Sequence, residues 1–158
     1  NVGKSFSEST IQIAKLCMDA SGYLKEYNMH IVCSSKNIYD ALNEFKHGKN
    51  TILHDKILDI HEYYSKAGLI ITRSGRNTLS ELAYLGIPAL SFLSGCQYRK
   101  AEQKQNLDAL GVHNIKPISL SIQPKKLAEQ IKETVNTKYH RVFFAPGNQQ
   151  AIQEIQNL

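Results

Sequence analysis

Residues 68–106, GLIITRSGRNTLSELAYLGIPALSFLSGCQYRKAEQKQN, constrain the fold more than any other stretch. Leu69-Ile70-Ile71 is apolar and rich in β-branched side chains, the pattern of a buried strand. Small and polar residues at 72–75 break that run. A helical pattern then begins at Asn77, with Leu79, Leu82, Ala83 and Leu85 on its apolar side and Gly86 as its stop. After Ile87-Pro88, residues 89–93 (ALSFL) read as a second buried strand. A strand–loop–helix–strand unit of this length is a right-handed parallel crossover. Its polar residues fall where the first strand meets the helix and again beyond the second strand, the ends at which open parallel sheets bind ligands.

The same alternation extends over the chain. Residues 29–33, 51–54 and 114–118 read as further short strands, the last an edge strand limited by Pro117. A first helix capped by Ser7 or Ser9 runs to Gly22. Others begin at Asn37 (ending near His47-Gly48), Lys56, Arg99, Pro124 and Asn148. Pro124 suits a first helical position. Short buried strands alternating with amphipathic helices predict an α/β, Rossmann-like parallel sheet flanked by helices. At 158 residues the expectation is one domain, spanning 1–158.

No apolar run approaches the roughly 20 residues of a membrane span. The cysteines, Cys17, Cys33 and Cys96, are odd in number and widely spaced, which fits a reducing cytoplasm. A net charge of +5 admits anionic ligands. The basic residues are scattered, however, with only the pairs Arg99-Lys100 and Lys125-Lys126 adjacent, so nucleic acid is not an expected partner. The six histidines show no metal-ligand spacing, and no metal is expected.

Three segments carry candidate chemistry. Asn1-Val2-Gly3-Lys4-Ser5 matches the end of a phosphate loop, but no N-K-x-D follows. Its D-x-x-G match, Asp19 to Gly22, falls at the end of a helix instead of a strand. A Gly-containing loop opening a helix is the better reading, and its backbone N–H groups could bind phosphate. Ser74-Gly75-Arg76-Asn77-Thr78 is either a helix cap, with Asn77 or Thr78 capping, or an anion site at a helix start. Glu81 could accept two ribose hydroxyls. Residues 102–106 (EQKQN) are either an exposed helix face or a reader of sugar hydroxyls.

Taken together, AGLIITRSGRNTLSE at 67–81 and GIPAL at 86–90 resemble the C-terminal, donor-binding half of GT-B nucleotide-sugar glycosyltransferases. The resemblance is to the family of the bacterial N-acetylglucosaminyltransferase that forms lipid II. Glu102, Gln103 and Asn106 are similar to that family's second motif. The resemblance implies that Glu81 holds the ribose, and that Ser74, Gly75, Arg76 and Thr78 form the diphosphate loop. It also implies that Glu102 and Gln103 bind the donor sugar with support from Asn106, and that Ile57 lies where backbone groups pair with the base. Gly3 and Ser5 look like the remains of a first Gly-rich loop. Gly68 stands where the family has aspartate, and Lys56 where it often has an aromatic. The implied ligand is a nucleotide-sugar donor, UDP-linked, with no other cofactor. The implied reaction is metal-independent inverting transfer of a hexosyl or N-acetylhexosaminyl group to a lipid-linked or other carbohydrate acceptor. The general base would come from an N-terminal acceptor domain or partner subunit, so this chain alone is expected to be inactive. The full-length protein is expected in the cytoplasm, peripheral to the membrane. A nucleotide-sugar hydrolase of the same fold and a non-catalytic regulatory domain are the alternatives.

Overall fold

A computed structural model describes residues 2–45, 47–55, 59–95, 97–111, 113–139 and 147–156. Helices and strands alternate: α1 (Val2–Ser21), β1 (Met29–Val32), α2 (Lys36–Asn43), β2 (Thr51–His54), α3 (Ile60–Lys66), β3 (Ile70–Arg73), α4 (Arg76–Leu85), β4 (Ala89–Phe92), α5 (Gln97–Leu110), β5 (Ile115–Ile118), α6 (Pro124–Asn136) and α7 (Gly147–Gln156). Among the described residues every strand pairing is parallel, in two sheets ordered β1-β2 and β3-β4-β5.

β4 is central in its sheet and buried on both faces. Leu90 and Phe92 face the core beneath α1 and α6, where Cys17, Ala20, Leu24, Leu127 and Ile131 also pack. Ala89 faces the opposite core, formed with Leu79, Leu82 and Ala83 of α4, Leu107 of α5 and Ile115 of β5. The period-2 alternation of the strand thus builds both layers from four residues. A third cluster joins Ala14 and Met18 of α1 to Cys33 and to Ile38 and Leu42 of α2.

Two asparagines tie helix ends to the sheet. The Asn50 side-chain amide donates to the carbonyls of Ser21, Leu24 and Tyr27 at 3.0–3.2 Å, fixing the chain after α1 against the start of β2. Asn114 donates to the carbonyl of Ile87 at 2.7 Å, fixing the α4–β4 turn beside β5. Gly86 ends α4 in the left-handed region at φ 68°, where a side chain would be strained. Pro124 occupies the first turn of α6, as expected.

Several expectations need correction. Helix α1 begins at Val2, so Gly3 and Ser5 lie in its first turns and do not form a loop. One glycine costs a helix only about 1 kcal/mol, which the rest of this apolar-faced segment overcomes. The Ser5 side chain lies outside the described part of the structure, as do residues Lys56, Ile57 and Cys96. Helix α2 ends at Asn43, well before residue 47. Helix α3 begins at Ile60, because Asp59 caps it by accepting a bond from the His61 N–H at 2.9 Å. Strand β3, expected to be buried, is half-buried along its whole length. Among the described residues, no helix is long and apolar enough to cross a membrane.

Candidate functional site

At the carboxyl ends of β3 and β4, the chain turns into α4 and α5, and a cleft of about 320 Å³ opens between them. Ser74, Arg76 and Asn77 line it from the α4 side, and Arg99, Glu102, Gln103 and Asn106 from α5. The residues expected at 74, 76, 102, 103 and 106 therefore share one wall-to-wall site.

The start of α4 is open. Its N-cap is Gly75, with extended backbone and no side-chain capping bond, so neither Asn77 nor Thr78 caps it as the alternative reading had proposed. The first intrahelical bond runs from the Leu79 N–H to the Gly75 carbonyl at 3.0 Å. The N–H groups of Arg76, Asn77 and Thr78 precede that bond and have no carbonyl one turn earlier to reach. Such a terminus, with the positive end of the helix dipole, suits an anion.

Ser74 is tied to the neighbouring strand. It is buried, and its hydroxyl donates to the Phe92 carbonyl at 3.0 Å. Having one proton, it must then accept from the Ser91 hydroxyl 2.7 Å away. Its side chain locks the loop to β4.

Across the cleft, Arg76 Nη2 lies 3.9 Å from Glu102 Oε1, an exposed pair of opposite charges. Gln103 is held by its side-chain oxygen, which accepts from the Ser94 N–H at 2.7 Å. Since a backbone N–H can only donate, the amide orientation is fixed and its NH2 is the group left for a ligand.

Glu81 lies farther along α4, opposite α3. His61 Nδ1 is 4.0 Å from its carboxylate, and its side chain is 39% exposed. The Tyr64 phenol is held above its ordinary pKa, first by burial and then by the negative charge of Glu81. Thr78 points to a different cavity, between β1 and β3, and Ile57 lies outside the described residues. Among the described residues, no three of His, Cys, Asp or Glu converge as a metal site.

Two cleft residues escaped the sequence reading of the site. Arg99 is read from the sequence as a helix start and half of a basic pair, although 99, 102, 103 and 106 follow the i, i+3, i+4, i+7 spacing of one helix face. Asn77 belongs to the 74–78 segment read as a cap or an anion site, but not to the residues expected to bind the donor.

The model of the glycosyltransferase family 28 C-terminal domain matches residues 6–156, nearly the whole chain. The chain belongs to that family. Its fold is that of the C-terminal half of a GT-B enzyme, with parallel sheets flanked by helices. The crystal structure of the glycotransferase of kitacinnamycin superposes on this family 28 domain with a TM-score of 0.61 at 14% identity. The match covers 78% of the domain and 30% of that longer chain. No curated protein matches.

Proposed function

We propose that this domain binds the nucleotide-diphosphate sugar of a glycosyltransferase, UDP-linked and carrying a hexosyl or N-acetylhexosaminyl group. The carrying observation is the cleft itself. An uncapped helix start with Arg76 stands opposite an arginine (Arg99), a carboxylate and an oriented amide on α5.

The division of labour follows from the chemistry of each group. The N–H groups opening α4, with Arg76 and Arg99, meet the diphosphate by charge-assisted bonds. Glu102 accepts from donor-sugar hydroxyls while the Gln103 NH2 donates to them, and Asn106 supports both. Glu81 accepts the ribose hydroxyls. Backbone groups near Ile57 pair with the base. In transfer, an acceptor hydroxyl displaces the diphosphate at the anomeric carbon with inversion. The leaving group's developing charge is stabilised by the helix start and the arginines, without a metal. The general base belongs to an N-terminal acceptor domain or partner subunit, so this chain binds donor and transfers nothing by itself. The complete enzyme works in the cytoplasm, peripheral to the membrane, on a lipid-linked or other carbohydrate acceptor.

Titration calorimetry with UDP, ADP, GDP and UMP tests this reading. UDP is expected to bind best, and to bind more tightly than UMP because the second phosphate reaches α4. Replacing Arg76 and Arg99 together with alanine is expected to weaken UDP binding by about tenfold or more, the loss of roughly one charged hydrogen bond. Equal, millimolar binding of all four nucleotides would refute it.

A further inference from the structure

Helix α3 is short, yet it is pinned on two sides. Asp59 accepts the His61 N–H at 2.9 Å and fixes the first turn. Tyr63 sets its ring edge-on to His30 of β1 and His54 of β2, with centroids 5.7 and 5.3 Å away. Tyr64 packs instead against the core shared by α4 and α5. Residues 61 and 64 stand about one helical turn apart on one side of α3, so His61 also turns toward α4. The His61 and Tyr64 rings meet edge-on, their centroids 6.1 Å apart and their planes at 86°.

His61 faces Glu81 across a gap. Its Nδ1 lies 4.0 Å from Glu81 Oε1, beyond the roughly 3.2 Å that a direct hydrogen bond spans. The gap has the width of one inserted oxygen. A hydroxyl oxygen about 2.7 Å from a carboxylate oxygen and about 2.9 Å from a ring nitrogen bridges 4.0 Å at an angle of roughly 90°. Such a hydroxyl gives its proton to the carboxylate and accepts from Nδ1–H with a lone pair. Both side chains reach solvent, so a ligand can enter the gap without displacing the core. Behind it, the Tyr64 phenol stays protonated, because burial and then the charge of Glu81 raise its pKa.

We infer that His61 determines sugar specificity beside Glu81, donating from Nδ1 to the same ribose hydroxyl that donates to the Glu81 carboxylate. The inference rests on the reading of Glu81 as the ribose acceptor and extends it in one respect. A carboxylate alone takes any donor, whereas this gap takes a group that donates and accepts at once across a fixed span. A ribose hydroxyl meets both demands. An analogue lacking that hydroxyl leaves both groups without their shared partner. The pair therefore selects an intact ribonucleoside diphosphate over the analogue deoxygenated at that one position.

The test is calorimetric titration of UDP, 2′-deoxy-UDP and 3′-deoxy-UDP into the 158-residue chain and into its His61→Phe, His61→Asn and Glu81→Ala variants. His61→Phe keeps a ring against Tyr64 and removes the donor. His61→Asn sets an amide NH2 close to the former Nδ1. His61→Phe is expected to weaken UDP binding by about five- to tenfold, with Tm moved by no more than about 2 °C. That loss should vanish with one deoxy ligand and persist with the other, and His61→Asn should recover most of it. A loss equal for all three ligands, or as large in His61→Asn, would overturn the inference, because the ring would then act through the fold of α3. So would unchanged UDP affinity in His61→Phe while Glu81→Ala weakens it, and in that case the ribose reading of Glu81 stands. Should Glu81→Ala bind UDP as the unaltered chain does, that reading fails first and takes this inference with it.

Discussion

If Glu81 holds the ribose, the energetic signature is coupling between this carboxylate and one ligand hydroxyl, not a simple loss of affinity. The side chain is 39% exposed, and the His61 imidazole lies 4.0 Å away. Hydrogen bonds to a charged group contribute about 1.5–3 kcal/mol each, and partial exposure favours the lower end. Glu81→Ala is therefore expected to cost UDP binding about 2–3 kcal/mol, roughly 30- to 150-fold. With 2′-deoxy-UDP one of the two bonds is already gone, so the same substitution should cost only about half as much. The resulting coupling energy, about 1 kcal/mol, is measurable by calorimetry in a double-mutant cycle. Stability serves as the control, because a half-exposed helix position away from the core should move Tm by no more than about 2 °C. Equal losses for both ligands would show that Glu81 does not touch the 2′-hydroxyl, and the ribose assignment would fall.

Other consequences are open to direct measurement. Ser74→Ala should lower Tm by about 5 °C, since it strands the buried Ser91 hydroxyl while the Phe92 carbonyl keeps the backbone N–H of residue 74, yet leave UDP affinity unchanged because the hydroxyl is taken up by its bonds to β4. Asn50→Ala, which removes a donor shared by three carbonyls, should cost about 2 kcal/mol in urea unfolding. The Cys17 thiol is pushed up to about 12 by burial, so at pH 8 iodoacetamide should label it only when the domain unfolds. His54 is held below its ordinary pKa, first by burial and then by His30, whose Nδ1 lies 2.9 Å from its Nε2. The unfolded chain then binds protons more readily than the folded one. Stability should fall as pH drops from about 6.5 through the lowered native value, and His54→Gln should flatten that slope in urea titrations.

Local patterns in the sequence were enough to place β3, α4 and β4. The β-branched run at 69–71, the apolar face of 79–85 and the stop at Gly86 are all signals read within one turn or one strand. Arg76, Glu102, Gln103 and Asn106 share a cleft because α4 and α5 both follow the carboxyl ends of neighbouring strands, an edge that parallel topology alone makes a binding edge. What was not legible depends on distant partners. The direction of the Ser74 hydroxyl is set by Ser91, 17 residues away. The open cap at Gly75 depends on Asn77 and Thr78 not folding back, which composition favours as much as it opposes. The helical start of α1 was hidden by a Gly-Lys-Ser triplet that carries loop associations, although only its glycine disfavours helix. The half-burial of β3 has no local signal, because it reflects which strand lies beside it.

The α5 wall of the cleft also suggests how a hexose could be oriented without deep burial. Arg76 and Glu102 face each other at 3.9 Å, but with side chains 73% and 55% exposed. Such a pair contributes at most about 1 kcal/mol, so a diphosphate and a sugar can separate it at little cost and each take one partner. Gln103 is different, because the Ser94 N–H at 2.7 Å fixes its oxygen and turns its NH2 outward. Adjacent positions on α5 thus offer an acceptor at 102 and a donor at 103, which suits neighbouring hydroxyls of fixed relative configuration. Gln103→Glu would keep the Ser94 bond while replacing the outward donor with an acceptor. If this pair reads the sugar, that substitution should weaken binding of UDP-hexoses by about tenfold while leaving UDP itself unaffected. Parallel losses for UDP and UDP-sugars would place Gln103 in the loop's architecture instead of in sugar recognition.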